Sequence, residues 1–237
     1  IEKTQEVKQK YEKTVEMLAE VYPETASCLK YDAAKGILWN RNAFHKDFLN
    51  HRLGIGAVPF QVSIEVPKKK FSIYKDDLAA KPEMIKDNYD TLYDVPVTLD
   101  LSRHRLVGIV GGEEKRGAIE TAKCLAAQIA ANNCYTDVKM GFIYDKNNAN
   151  EGEKWKFAKW LPHVWSEDKK IRYLAGDGEQ ASDVLYELTK IFRSRVEEQE
   201  EKDKEKIWKP YYVLFVSNLQ ALSGEILAKY IFEQEND

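Results

Sequence analysis

RLVGIVGGEEKRGAIETAKCLAAQIAANN, residues 105–133, decides the fold class. Arg105–Val110 is an apolar run of strand length, and Gly111-Gly112 make a turn. Ile119, Ala122, Ala126 and Ile129 then recur at 3, 4 and 3 residues, the stripe of a helix that ends near Asn132-Asn133. The same rhythm continues downstream. VKMGFIY (138–144) predicts a strand, Glu153–Leu161 a short helix stopped by Pro162, and IRYL (171–174) a strand closed by the Gly176-Asp177-Gly178 turn. Ala181, Leu185, Leu188, Phe192 and Val196 mark a long helix, Tyr211–Val216 a wholly apolar strand suited to a sheet centre, and Ile226–Phe232 a last helix. Strands alternating with helices predict an α/β fold with a mainly parallel sheet and helices on both faces.

Upstream, PVTLDL (96–101) predicts one more strand, and FQVSIEV (60–66) alternates as a half-buried strand does. Gly54 and Gly56 break the chain before it, and Lys68-Lys69-Lys70 after it read as a solvated turn. Val7, Tyr11, Val15, Leu18 and Tyr22 form one stripe of an N-terminal helix punctuated by Pro23, which suits the first turn of a second short helix. The expected division is a helical lead-in over 1–36 and an α/β domain over 37–237. Glu197–Lys206 is too charged to bury and reads as a solvated helix end or loop.

The chain has 237 residues, enough for a substantial core, with 36 Lys+Arg against 39 Asp+Glu. That balance argues against whole-surface binding of nucleic acid or anionic lipid. No run reaches the roughly 20 apolar residues that span a bilayer. Cys28, Cys124 and Cys134 are odd in number and lack C-x-x-C spacing, which disfavours a disulfide scaffold or thiolate zinc site and points to a reducing compartment. A start at Ile1 rather than Met suggests a piece of a longer protein.

Strand, glycine turn and helix are the layout of a phosphate loop, whose backbone N–H groups and helix dipole hold an anion. The register that fits G-x-x-x-x-G-K-[ST] runs from Gly112 to Ile119. Gly112 and Gly117 occupy the glycine positions, but Ala118 stands at the lysine position and Ile119 at the hydroxyl position. Neither can neutralise phosphate charge or ligate Mg²⁺. Glu113 and Glu114 add like charge, worth roughly 1–4 kcal/mol against polyphosphate at about 4 Å; Lys115 or Arg116 turning inward is the compensating alternative. The acids expected after a later apolar strand are likewise replaced, by Ser217 and Asn218. Both halves of the apparatus lack their charged groups, which predicts a degenerate nucleotide site with no catalytic residue, metal or cofactor.

The remaining candidates are weaker. Neither Gly108–Gly112 nor Gly54–Pro59 completes G-x-G-x-x-G, and no G-x-S-x-G is present. His45, Asp47 and His51 match no strong metal spacing and read as a polar cluster. Trp155, Trp160 and Trp165 lie five apart, off any single helical face, and read as core or partner packing.

Several motifs together resemble a known family. LWNR (38–41) followed by DFLNHRLGIG (47–56) resembles the W-x-R…D-F-L-x-x-R-x-G-x-G signature of FtsK/SpoIIIE-type ATPases of type VII secretion systems. WLPH (160–163), DLSRHRLVGIVGG (100–112) and NCYTDVK (133–139) resemble its EssC/YukB branch. The resemblance implies a RecA/P-loop NTPase-like three-layer fold, in the membrane-proximal domain of unknown function that precedes the ATPase modules. It implies ATP and Mg²⁺ in those downstream modules, a membrane-anchored parent at the cytoplasmic face of a bacterial membrane, and export of WXG-type substrates. The implied partners are the downstream ATPase module, other subunits of the membrane complex and further copies of the chain, with no nucleic acid. Ala118, Ile119, Ser217 and Asn218 depart from an active module, so the reading is a non-catalytic coupling domain. A divergent NTPase active only in a ring, and a DNA translocase module, are the alternatives.

Overall fold

The computed structural model describes residues 2–62, 77–112, 116–145, 149–176, 178–200, 208–217 and 219–232. The chain divides into two units, one of residues 1–27 and 51–99, the other of residues 28–50 and 100–237.

In the first unit, helix α1 (Glu2–Val21) carries the expected stripe, and Tyr11, Val15 and Leu18 pack on buried Phe60, Leu92 and Val95. The Tyr11 ring meets Phe60 and Tyr89 edge-on at 5.5 and 5.4 Å, and its hydroxyl accepts the Tyr93 N–H at 3.2 Å. One aromatic residue thus pins the helix to the sheet behind it. After the one-turn helix α2 (Thr25–Cys28), that sheet consists of β1 (Asn50–Pro59) and β2 (Thr91–Asp100), with α3 (Asp77–Asn88) between them in sequence. Backbone bonds from Leu101 to Leu49 and from Phe60 to Asp90 make the pair antiparallel. Of the strand expected at Phe60–Val66, the described residues 60–62 lie just past β1, which ends at Pro59, and Phe60 is core. Residues 63–66 and Lys68–Lys70 lie outside the described residues. PVTLDL is absorbed into β2.

The second unit is α/β. Helix α4 (Arg116–Asn132) returns to β3 (Val138–Ile143); α5 (Ala149–Trp155) continues as a tight turn of helix to Trp160, before Pro162. Strand β4 (Leu174–Ala175), helix α6 (Gly178–Glu200), strand β5 (Tyr211–Val216) and helix α7 (Ile226–Phe232) follow. The strands pair in parallel in the order β4-β3-β5. Alternation along them sets up three layers. Met140 and Phe142, with Tyr211, Val213 and Phe215, face Ile119, Ala126 and Ile129 of α4 and Trp155 of α5. Tyr212, Leu214 and Val216 face Val184, Leu185 and Leu188 of α6 and Leu227 of α7.

Two expectations are corrected here. Among the described residues the apolar strand Tyr211–Val216 is not central: β3 holds the middle and is buried at every position, while β5 is half-buried throughout. Burial follows from neighbours on both edges, not from composition. Arg105–Val110 is not a strand. Among the described residues it joins no strand, and Leu106 and Val110 are 64% and 96% exposed. The outer edge of β5 is open among the described residues, yet no ladder joins Arg105–Val110 to it: strand composition permits a strand, and only backbone pairing makes one. What holds this segment is polar: the Arg105 guanidinium donates to the Tyr230 carbonyl at 2.7 Å.

Candidate functional site

Ligands of parallel α/β sheets bind beyond the carboxyl ends of the strands. Here Ile143 of β3 is in register with Ala175 of β4 and Val216 of β5, so the three strands finish level. Tyr144 N–H then bonds the Ala175 carbonyl at 3.1 Å, and Ser217 N–H the Ile143 carbonyl at 2.9 Å. The Ser217 hydroxyl lies 2.9 Å from a Glu151 carboxylate oxygen and 3.4 Å from the Ile143 carbonyl. It has one proton, and the shorter, charge-assisted contact takes it. The same Glu151 oxygen accepts the Asp145 N–H at 3.1 Å. Glu151 thereby ties the ends of β3 and β5 to the start of α5. Sequence reading missed Glu151, because 66 residues separate it from Ser217 and no local spacing marks the pair.

Of the phosphate-loop positions, Gly112 has φ +69°, a conformation that favours glycine, and is exposed. Gly117 lies in the first turn of α4, and an added Cβ there would meet nothing within 4 Å. Ala118 is half-buried. Ile119 is buried in the core cluster that holds Phe142 and Trp155, so its position faces the interior. Among the described residues no hydrogen bond joins Gly112–Ile119 to Ser217. Glu113, Glu114, Lys115 and Asn218, and the side chain of Arg116, lie outside the described residues. No group of three or more His, Cys, Asp or Glu suited to a metal occurs among the described residues. Asp47 instead ion-pairs with Arg41 at 2.9 Å.

The opposite, amino edge is densely bonded. A helix ends with carbonyls that lack intrahelical partners, and α4 has its last ones met by the LWNR segment. Trp39 Nε1–H bonds Ala130 O at 2.9 Å. Trp39 N–H bonds Ala131 O at 2.8 Å, and Arg41 N–H bonds Asn132 O at 2.9 Å. Trp39 reaches this position with φ +57°. The Arg41 side chain is buried, donating to Asn50 O at 2.7 Å besides pairing Asp47. His163 of WLPH is fully buried, and its Nε2 lies 2.8 Å from Asn133 O. A carbonyl only accepts, so Nε2 carries the proton and Nδ1, which has no partner among the described residues, is the bare nitrogen. Burial holds the His163 pKa down at about 4, with the Lys139 charge adding to the effect and the Asn133 bond opposing it. Trp39, Tyr135 and His163 meet edge-on, Trp39 and Tyr135 with centroids 5.4 Å apart.

Comparison with known proteins supplies the context. Over 202 residues the chain is 28% identical to the ESX secretion system protein EccC of Geobacillus thermodenitrificans, a match covering 84% of this chain and 13% of that protein. Its homologues are secretion proteins. The ESX secretion system protein YukB of Bacillus subtilis is 29% identical over 202 residues, 82% of this chain and 12% of YukB. The type VII secretion system protein EssC of Staphylococcus aureus is 20% identical over 197 residues, 82% of this chain and 13% of EssC. The match thus spans about an eighth of the length of these type VII relatives. No family profile matches the chain. No helix of the described residues is long and apolar enough to cross a membrane.

Proposed function

We propose that the chain is a non-catalytic coupling domain of a type VII secretion motor protein, with a RecA-like fold whose nucleotide site has degenerated. One observation carries the reading. At the carboxyl edge, where nucleotide chemistry would sit, Ile119 is committed to the core and Ser217 to Glu151. Ala118 offers no charge either. A side chain packed against Phe142 and Trp155 has no means of ligating Mg²⁺. The similarity to EccC, YukB and EssC over some 82% of the chain supports the secretion context. In this reading the domain stands on the cytoplasmic face of a bacterial membrane, between membrane helices and downstream ATPase modules. It transmits or restrains their nucleotide-driven movement during export of WXG-type substrates. Calorimetric titration of ATP, with and without Mg²⁺, is expected to show no saturable heat. Low-micromolar binding with turnover would overturn the non-catalytic reading.

Glu151 favours one second reading. It places a carboxylate at the strand ends, where a metal-dependent hydrolase keeps its acids. A divergent NTPase completed by a neighbouring subunit in a ring would hydrolyse ATP in a longer chain whose downstream ATPase sites are disabled. Absence of residual hydrolysis there would remove this reading.

A further inference from the structure

The amino edge of the α/β sheet also holds a cavity of about 760 Å³, within the size range of sites that take small organic ligands. Tyr135, Trp160 and Trp165 give it aromatic walls, and Lys139 lines it. Lys139 is the second residue of β3 and only 5% exposed. Lysine is almost never so buried without a partner. Its ammonium stands 5.6 Å from the centroid of the Tyr135 ring, and among the described residues it makes no hydrogen bond or ion pair. Burial depresses its pKa, and the carboxylate of Glu167 opposes that effect.

A ring face offers an ammonium electrostatic attraction but no lone pair, so three N–H donors are left short of acceptors. The missing complement is an anion. Lys139, Lys169 and Glu167 are the charged residues of the lining, two positive and one negative. A single net positive charge suits a carboxylate. A polyphosphate calls for several converging donors, and no arginine lines the cavity. The indole and phenol walls suit a flat or apolar body beside that carboxylate.

We infer that this cavity binds a carboxylate carried next to an aromatic or apolar group, with Lys139 pairing the charge and Tyr135, Trp160 and Trp165 enclosing the rest. The inference is independent of the secretion reading and of the carboxyl edge. Two sources present this chemistry, a free aromatic acid and the end of a peptide. Calorimetry on the whole chain with indole-3-propionate and with N-acetylglycyl-phenylalanine separates them, since the tighter binder identifies the source. The primary amide of each probe isolates the charge.

The acid that binds is expected to do so at least about tenfold more tightly than its amide. Lys139→Met should erase that preference, because it keeps the volume and removes the ammonium. A readout without any variant is the indole N–H signals in ¹⁵N–¹H spectra. Those of Trp160 and Trp165 should shift on titration, while that of Trp155, buried in the core, should not. Equal binding of acid and amide, an acid preference unchanged by Lys139→Met, no saturable binding below about 10 mM, or shifts that bypass Trp160 and Trp165 would each overturn the assignment.

Discussion

His163 makes stability depend on pH in a calculable way. Its Nε2–H is spent on Asn133 O, and Nδ1 sits buried without a partner among the described residues. A second proton would have to enter at Nδ1, into a site with no acceptor and with the Lys139 charge nearby. The pKa therefore falls from an ordinary 6.5 to about 4 in the folded protein. Between those values the unfolded chain holds the extra proton and the folded chain does not. This contribution is fully present above about pH 6.5 and is lost as pH falls through the window toward 4. Two and a half pKa units correspond to about 3 kcal/mol. The assay is urea unfolding of the parent and of His163→Gln at pH 7, 6, 5 and 4.5. Glutamine retains a donor for Asn133 O and does not titrate. The variant is expected to be the less stable form at pH 7, and the gap should narrow by about 2–3 kcal/mol by pH 4.5. Carboxylates shared by both proteins cancel in the difference. Parallel stability curves would refute the reasoning, since they would mean that buried His163 is accessible to protons or that Nδ1 finds an acceptor.

Further predictions concern the scaffold. Arg41→Met removes the partner of Asp47 and a donor to Asn50 O, and should lower unfolding free energy by about 3 kcal/mol in urea titrations. Trp39→Phe keeps a ring but deletes the Nε1–H bond to Ala130 O, and should lower it by about 1 kcal/mol in the same assay. Gly141→Ala puts a Cβ 2.8 Å from Leu214 Cδ2 on the α6 side of the central strand, with an expected loss of about 1–3 kcal/mol and a lower melting temperature by circular dichroism. Ser217→Ala and Glu151→Gln in a double-mutant cycle should couple by about 1 kcal/mol, and additive effects would deny the bond between them.

What was legible in the sequence is what local periodicity controls. The Ile119–Ala126–Ile129 stripe and the Tyr11–Val15–Leu18 stripe both lie where their spacing puts them. Residues that depend on partners distant in sequence were not legible. Arg105–Val110 has the composition of a strand, yet among the described residues it forms no ladder with the open outer edge of β5. IRYL was expected to be one strand, but it divides its bonds. Arg172 bridges Trp165 and Tyr173 N–H bonds Val164 O at 2.7 Å, while the Tyr173 carbonyl accepts the Phe142 N–H at 2.9 Å and Leu174–Ala175 lie in register with β3. Helix α3 carries Pro82 inside it, which hides the period. In the candidate site, Ser217 was visible at the end of its strand, whereas Glu151 needed the fold to bring it there. Lys139 did leave a signal, a lone charge in the otherwise apolar VKMGFI, since a strand buried on both faces has no solvated side to give a lysine.

Three of the stretches behind the type VII resemblance, LWNR, NCYTDVK and WLPH, meet at the amino end of the α/β sheet. Trp39 and Arg41 close the last turn of α4, Asn133 follows it, and Tyr135 and His163 pack beside them. Phe48 and Leu49 of the same signature lie in the core, Phe48 against Tyr211 at 5.0 Å. These residues solve a folding problem, the unpaired carbonyls of a helix terminus, and they solve it at the edge opposite the one where a nucleotide would bind. A relative that shares them shares this closure, whatever its own carboxyl edge holds. Likeness in these motifs therefore argues for common architecture, and hydrolysis has to be argued separately from the groups around Ile119, Ser217 and Glu151. The two edges are separable by experiment. Variants at Trp39 or Arg41 should change unfolding free energy, whereas Ala118→Lys with Ile119→Ser would restore the missing phosphate-loop side chains. Ile119 is core, so that double variant should unfold more readily by about 1–4 kcal/mol. The non-catalytic reading requires that it still show no ATP turnover, because Ser217 and Glu151 remain bonded to each other and the position after Ser217 still lacks an acid. Turnover in that variant would mean that the rest of the hydrolytic apparatus is intact.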